Sequence, residues 1–197
     1  AWYFHNTVVL NDTAAQTTSE TAGFYQETDA DNIEFKNNIV YIGRGGTGTK
    51  YCIELEEDGS VVDANFNAYF IDTLVGGLDN NVGSYDFSDF VTFADWQTAN
   101  GGAYDQNSVF ADPEFVDIVN ADFTPGNALI NNIGTPVGVT TDIFGTARDA
   151  VSPDPGAIEF TPPGLDAAIS WVAPTTPNLG GLQDVTVNIV NTSTDMI

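Results

Sequence analysis

The chain has 197 residues and sets 4 lysines and arginines against 28 aspartates and glutamates, a formal charge of −24. That balance excludes nucleic acid, whose binding needs a basic stripe to displace counterions, and it disfavours anionic membranes. Hydrophobic residues make up 42%, enough for a globular core, and no run is long and apolar enough to span a bilayer.

The first predicted element is the apolar segment Tyr3-Phe4-His5-Asn6-Thr7-Val8-Val9-Leu10. It repeats as Glu34-Phe35-Lys36-Asn37-Asn38-Ile39-Val40-Tyr41 and as Ala64-Asn65-Phe66-Asn67-Ala68-Tyr69-Phe70-Ile71. Asn6, Asn37 and Asn67 line up at offsets of 31 and 30 residues (37 − 6 and 67 − 37). A strand–Asn–strand unit at a fixed period is the pattern of a stacked repeat, because one turn cannot bury its own apolar face. Asn suits the bend, since it tolerates left-handed backbone angles and its amide can bond the next layer. The pattern predicts an all-β fold, a right-handed parallel β-helix with Asn6, Asn37 and Asn67 as an inner ladder.

Between the first two repeats, Asn11 to Ala22 reads as a polar loop and Gly23-Phe24-Tyr25-Gln26 as a further strand. Asp29, Asp31 and Asn32 offer oxygen ligands in one turn, a candidate calcium site, and Asp79, Asn80 and Asn81 offer another; neither has EF-hand spacing. The glycine-rich loop Gly43-Arg44-Gly45-Gly46-Thr47-Gly48 lacks the Gly-Lys-Ser/Thr that opens a phosphate-binding helix. Cys52 stands alone in the strand-like Tyr51-Cys52-Ile53-Glu54-Leu55, so it reads as a buried inert thiol. Phe87 to Gln97 predicts a short amphipathic helix with Ser88 as its N-cap. Residues 1–160 form the first predicted domain, 161–164 (Thr-Pro-Pro-Gly) a linker, and 165–197 a second, partial domain with two alternating strands. Both ends read as cut within elements, with further domains of the same chain expected beyond them.

His5-Asn6-Thr7 and Lys36-Asn37-Asn38 resemble the coil corners of secreted bacterial right-handed β-helix proteins of the pectate-lyase-like superfamily. Ser108 to Asp117 is similar to their "ADPxFVD" segment. Asp142 to Arg148, followed by Pro153 to Phe160, resembles the closing motif of the choice-of-anchor Q type, with small departures at Pro155 and Ile158. The tail from Leu165 resembles the first strands of a CARDB-type, immunoglobulin-like β-sandwich. The resemblance implies an exported or cell-surface protein facing polysaccharide, sent out by the type IX route of Bacteroidetes. It does not decide catalysis.

Stacking in register would set His5 under Lys36, a candidate base and carboxylate-neutralising pair for β-elimination on a uronate polymer. Lys36, Arg44 and Lys50 fall within one predicted coil and form a candidate cationic subsite. Tyr69, like Trp2, Tyr25, Tyr85 and Trp96, offers a ring on which a sugar can stack. Arg148 and Glu159 read as a structural ion pair that locks the closing motif. One histidine and one cysteine cannot furnish a zinc site or a serine-histidine triad. The favoured function is non-enzymatic, a carbohydrate-facing adhesin or stalk module whose partner is a polysaccharide or cell-surface glycan. A polysaccharide lyase or glycoside hydrolase with its active face partly in N-terminal coils stays open, as does a purely structural spacer.

Overall fold

A computed structural model describes residues 1–16, 18–73, 80–163, 167–171 and 187–191. The chain divides into two compact units, Ala1–Pro162 and Pro163–Ile197.

The repeats dictate the larger unit. Each apolar segment breaks into two short strands around a residue with left-handed backbone: His5 (φ 54°), Asn37 (57°) and Phe66 (60°). β1 (Trp2–Phe4) and β2 (Thr7–Leu10) flank the first bend, β4 (Ile33–Lys36) and β5 (Ile39–Ile42) the second, and β7 (Val62–Asn65) and β8 (Ala68–Ile71) the third. A third strand closes each pass: β3 (Thr21–Gln26), β6 (Lys50–Leu55) and β9 (Asn80–Tyr85). Like strands pair in parallel one period apart. The first sheet is β1-β4-β7, the second is β2-β5-β8 with β11 (Val109–Phe110), and the third is β3-β6-β9 with the antiparallel β10 (Ser88–Phe90).

Inward residues of all three sheets meet in one core, with Phe35, Val40, Ile42, Cys52, Ile53 and Leu55 nearly or fully buried. Each such aliphatic side chain contributes about 1.5–3 kcal/mol on leaving water. Cys52 lies fully inside this core and burial pushes its thiol far up, so it packs as a small hydrophobe.

The asparagine ladder runs through Asn38 where the sequence pattern placed Asn37. Asn6 Nδ2 donates to Asn38 Oδ1 at 2.9 Å across 32 residues, and Asn38 Nδ2 donates to Asn67 Oδ1 at 3.1 Å across 29. Those two oxygens also accept the backbone N–H of Asn6 and Asn38, both at 2.9 Å. The ladder ends on Asp105, whose Oδ1 accepts Asn67 Nδ2 at 3.0 Å. Asn37 takes the bend position beside His5 instead. Two adjacent asparagines satisfy the same sequence pattern, and only the strand register separates them.

The helix expected over Phe87–Gln97 is replaced by a hairpin and a single turn. Asp86 and Phe87 both have positive φ (49° and 55°), the backbone of a two-residue turn that sends β10 back along β9. Ser88 is therefore a strand residue. The helix α1 is only Phe93–Trp96, capped by Thr92, whose side chain accepts the Asp95 N–H. Trp96 is fully buried and lies over Gly83, where a Cβ would run into the indole.

Residues 131–160 run back past the bend of the first two passes, so that Gly156 N–H reaches Asn37 O at 2.7 Å and Ala157 N–H reaches Thr7 Oγ1 at 2.9 Å. Arg148 organises this segment. Its Nη1 donates to Glu159 Oε2 at 3.2 Å and to Asp154 O at 3.1 Å, and its Nη2 donates to Gly156 O at 2.8 Å. Asp142 accepts the N–H groups of Phe144, Thr146 and Glu159. Asp154 accepts those of Asn132 and Phe160. Carboxylates thus do here what strand ladders do elsewhere, satisfying the backbone of an irregular segment.

In the smaller unit, β12 (Ala167–Trp171) and β13 (Val187–Asn191) pair antiparallel, Ala167 opposite Asn191.

The identification with right-handed parallel β-helix proteins is corrected by this architecture. The described residues are all-β with very little helix: three short, mostly parallel sheets in the larger unit and one antiparallel strand pair in the smaller. A 30-residue apolar repeat demands parallel pairing one period away. It carries neither a long superhelix nor membership of a family.

Candidate functional site

The outer face of the first sheet carries the chemistry. Alternation along β1, β4 and β7 sends Tyr3, Phe35 and Ala64, which are in register, toward the core. Their neighbours form two outward rows, Trp2–Glu34–Asp63 and Phe4–Lys36–Asn65. A groove of about 350 Å³ runs over these rows, lined by Trp2, Phe4, Glu34, Lys36, Phe66 and the segment Thr135-Pro136-Val137. Trp2 is 74% exposed. Its ring lies parallel to Phe4, with 6.4 Å between centroids and 9° between planes.

Lys36 bridges the two carboxylates of this face, 3.0 Å from Glu34 Oε2 and in direct contact with Asp63 Oδ2. Partial burial pulls its ammonium toward neutrality, but hydrogen bonds and attraction from Asp63 and Glu34 outweigh it and raise the pKa. The lysine is therefore charged and already engaged.

His5 and Lys36 do not form a pair. Lys36 stands in register with Phe4, and His5, at the bend, is buried against Asn37 and the returning segment. Thr135 N–H donates to Asn37 Oδ1 at 2.9 Å, so the Asn37 amide nitrogen is the atom facing Thr135 O at 2.7 Å and His5 Nε2 at 3.0 Å. Nε2 is then the acceptor, and Nδ1–H donates to Asp154 O at 3.0 Å. Burial first, and the Arg148 charge second, lower the His5 pKa to about 4. At neutral pH His5 is an uncharged strut. It holds Asn37, and Asn37 clips the groove wall at Thr135 through both atoms of its amide.

The other candidate residues lie elsewhere. Arg44 Nη1 donates to Thr21 Oγ1 at 3.1 Å. Lys50 is buried at the start of β6, its Nζ donating to Gly46 O and Gly48 O at 3.2 Å each, and burial lowers its pKa. Lys36 belongs to the first sheet, so the three basic residues do not make one subsite. Tyr69 is fully buried and donates its hydroxyl to Asp105 Oδ2 at 3.0 Å, so no sugar reaches its ring. Arg148 and Glu159 make the ion pair described above, inside the returning segment. Asp29, Asp31 and Asn32 sit in the turn before β4, where Asn32 O accepts the Ala1 ammonium at 2.8 Å. Among the described residues, no group of three or more histidine, cysteine, aspartate or glutamate side chains is arranged to hold a metal. Asp79 lies outside the described residues.

Sequence reasoning missed Phe4, Glu34 and Phe66 as groove residues, and Asp63 as the carboxylate beside them. The signal was present in the alternation of the three repeats, Trp2/Phe4, Glu34/Lys36 and Asp63/Asn65, once the Asn38 register is used. The wall at 135–137 carried no such signal, because it reaches Asn37 across 98 residues.

A second acidic feature sits on the third sheet. Glu54 on β6 is buried, and its Oε2 has no hydrogen-bond partner among the described residues. Burial first, then the neighbouring Glu20, push its pKa up to about 8.

No family model, no curated protein and no solved structure matches the chain. With the three short sheets observed, this removes the support for the pectate-lyase-like resemblance, for the choice-of-anchor Q ending and for the CARDB-type module. Any functional reading rests on the groove itself.

Proposed function

We propose that the first-sheet groove is a non-catalytic carbohydrate-binding site, the ligand a polysaccharide or a surface glycan met outside the cell. The observation that carries this reading is the exposed, parallel Trp2–Phe4 pair beside the Glu34–Lys36–Asp63 row. A pyranose presents C–H groups to an aromatic face and hydroxyls at its edge. Trp2 and Phe4 supply the first kind of contact and the two carboxylates the second. Short parallel strands hold these side chains on a rigid floor, and the Asn37 clip holds the wall, so little ordering accompanies binding.

The arrangement speaks against β-elimination. A lyase needs a cation free to neutralise the uronate and a base at the substrate. Lys36 is shared between two carboxylates, and His5 is buried behind the wall. Trp2→Ala is expected to weaken glycan binding by tenfold or more, about 1.4 kcal/mol, with unchanged unfolding. Affinity electrophoresis through gels containing different polysaccharides checks this. Retardation that Trp2→Ala leaves untouched, or none in any gel, contradicts the reading, and the second outcome fits a structural spacer.

A further inference from the structure

We infer that the ligand of this groove is a glycan bearing protonated amino groups, an oligomer or polymer of unacetylated amino sugars. The inference rests on the carbohydrate reading above and adds the charge of the ligand to it. Glu34 in the groove and Asp63 at its margin outweigh Lys36 and leave the three with one net negative charge. Only one oxygen of each carboxylate is spent on Lys36. Among the described residues, Glu34 Oε1 and Asp63 Oδ1 accept no hydrogen bond from the protein, and the side chains are 37% and 57% exposed. Two part-exposed carboxylates thus keep an acceptor oxygen each on a face whose neighbouring surface is aromatic.

An ammonium group fits both halves of that surface. It donates to the carboxylate oxygens in charge-assisted hydrogen bonds. It also gains from the face of Trp2, the strongest aromatic partner for a cation. The sugar ring carrying the amine supplies the C–H face for Phe4 and Phe66. The charge of −24 draws a polycation to the surface and repels a polyuronate, adding to the association rate in one case and subtracting in the other. Lys36 keeps the two carboxylates at a fixed separation, and the ligand amine takes the oxygens that Lys36 leaves.

Isothermal titration of the intact chain with three hexasaccharides tests this: a glucosamine hexamer, its fully N-acetylated counterpart and a galacturonate hexamer, at pH 5.5 and two salt concentrations. The glucosamine hexamer is expected to bind at least tenfold more tightly than the acetylated one, with an affinity that falls as salt rises. The galacturonate is expected not to bind. Asp63→Asn, at a half-exposed position that the core does not need, is expected to lower glucosamine affinity at least tenfold and the affinity for the acetylated hexamer by a clearly smaller factor. Equal affinity for the two, insensitive to Asp63→Asn, overturns the inference and leaves the carbohydrate reading standing. Glucosamine binding that neither Asp63→Asn nor Trp2→Ala changes is adhesion to the acidic surface at large and overturns it too. Failure of all three sugars to bind overturns the inference, and the polysaccharide gels then decide the carbohydrate reading by themselves.

Discussion

Asp105→Ala is expected to destabilise the larger unit by at least about 4 kcal/mol, a large part of the 5–15 kcal/mol that holds a domain of this size. The carboxylate is fully buried and collects four donors from three parts of the chain. Ser108 Oγ stands at 2.6 Å, Trp96 Nε1 at 2.8 Å, and Asn67 Nδ2 and Tyr69 OH at 3.0 Å. Truncation strands all four inside the core, and each unsatisfied buried donor costs about 1–3 kcal/mol. It also removes the end of the asparagine ladder and the tether of α1. Asp105 has φ 53°, which asparagine tolerates better than alanine. Burial raises the Asp105 pKa even against its hydrogen bonds from Ser108, Asn67, Trp96 and Tyr69, so a neutral amide relieves part of the desolvation. Asp105→Asn is therefore expected to cost about 2 kcal/mol, since it keeps one acceptor oxygen. Urea unfolding of the two variants checks the ranking. An alanine variant within 1 kcal/mol of the parent would show that the pillar carries no weight.

The second large effect is on the pH dependence of stability, because two buried groups are displaced in opposite directions. Glu54 titrates near 8 in the folded chain against 4.5 in the unfolded one. The folded state keeps a proton that the unfolded state releases, so stability falls as pH rises through that interval. His5 titrates near 4 when folded against 6.5 when unfolded. The unfolded state takes up a proton that the folded state refuses, so stability falls as pH drops through 6.5 toward 4. Between about 4.5 and 6.5 the two slopes oppose each other and the profile is nearly flat. Between 6.5 and 8 Glu54 dominates, because His5 is the one histidine and the raised Cys52 thiol adds its own loss only from about 9, where the unfolded thiol ionises. About 2 kcal/mol is then lost by pH 8. Glu54→Gln is expected to abolish that alkaline loss and to expose the His5 slope between pH 4.5 and 6.5. Urea titrations at half-unit pH steps read both limbs. An alkaline limb that survives in Glu54→Gln assigns it to another group.

The floor of the groove was legible in the sequence and its wall was not. Periodic apolar segments predict parallel pairing one repeat away, and β1-β4-β7 obeys. The choice between Asn37 and Asn38 was not legible, because adjacent identical residues differ only in which one bends the backbone. That single ambiguity moved Lys36 from beside Phe4 to beside His5, and so suggested a catalytic pair that the register pulls apart. Tyr69 and Trp2 looked alike as aromatic residues in strand segments, yet one meets a buried carboxylate and the other open water. Which face a strand shows to the core depends on that same register. The hairpin at Asp86-Phe87 was hidden for a related reason, since left-handed backbone at a phenylalanine leaves little trace in composition. The returning segment 131–160 meets His5, Thr7 and Asn37 across sequence distances that no local pattern spans.

Amide chemical-shift mapping with a saturating glucosamine hexamer shows whether the outer face of the first sheet is the binding surface. Perturbations are expected at Trp2, Phe4, Lys36, Phe66 and Val137, with the Trp2 indole N–H shifted most. Perturbations confined to the third sheet around Tyr25, Glu54 and Tyr85, with the groove amides unmoved, would contradict binding there.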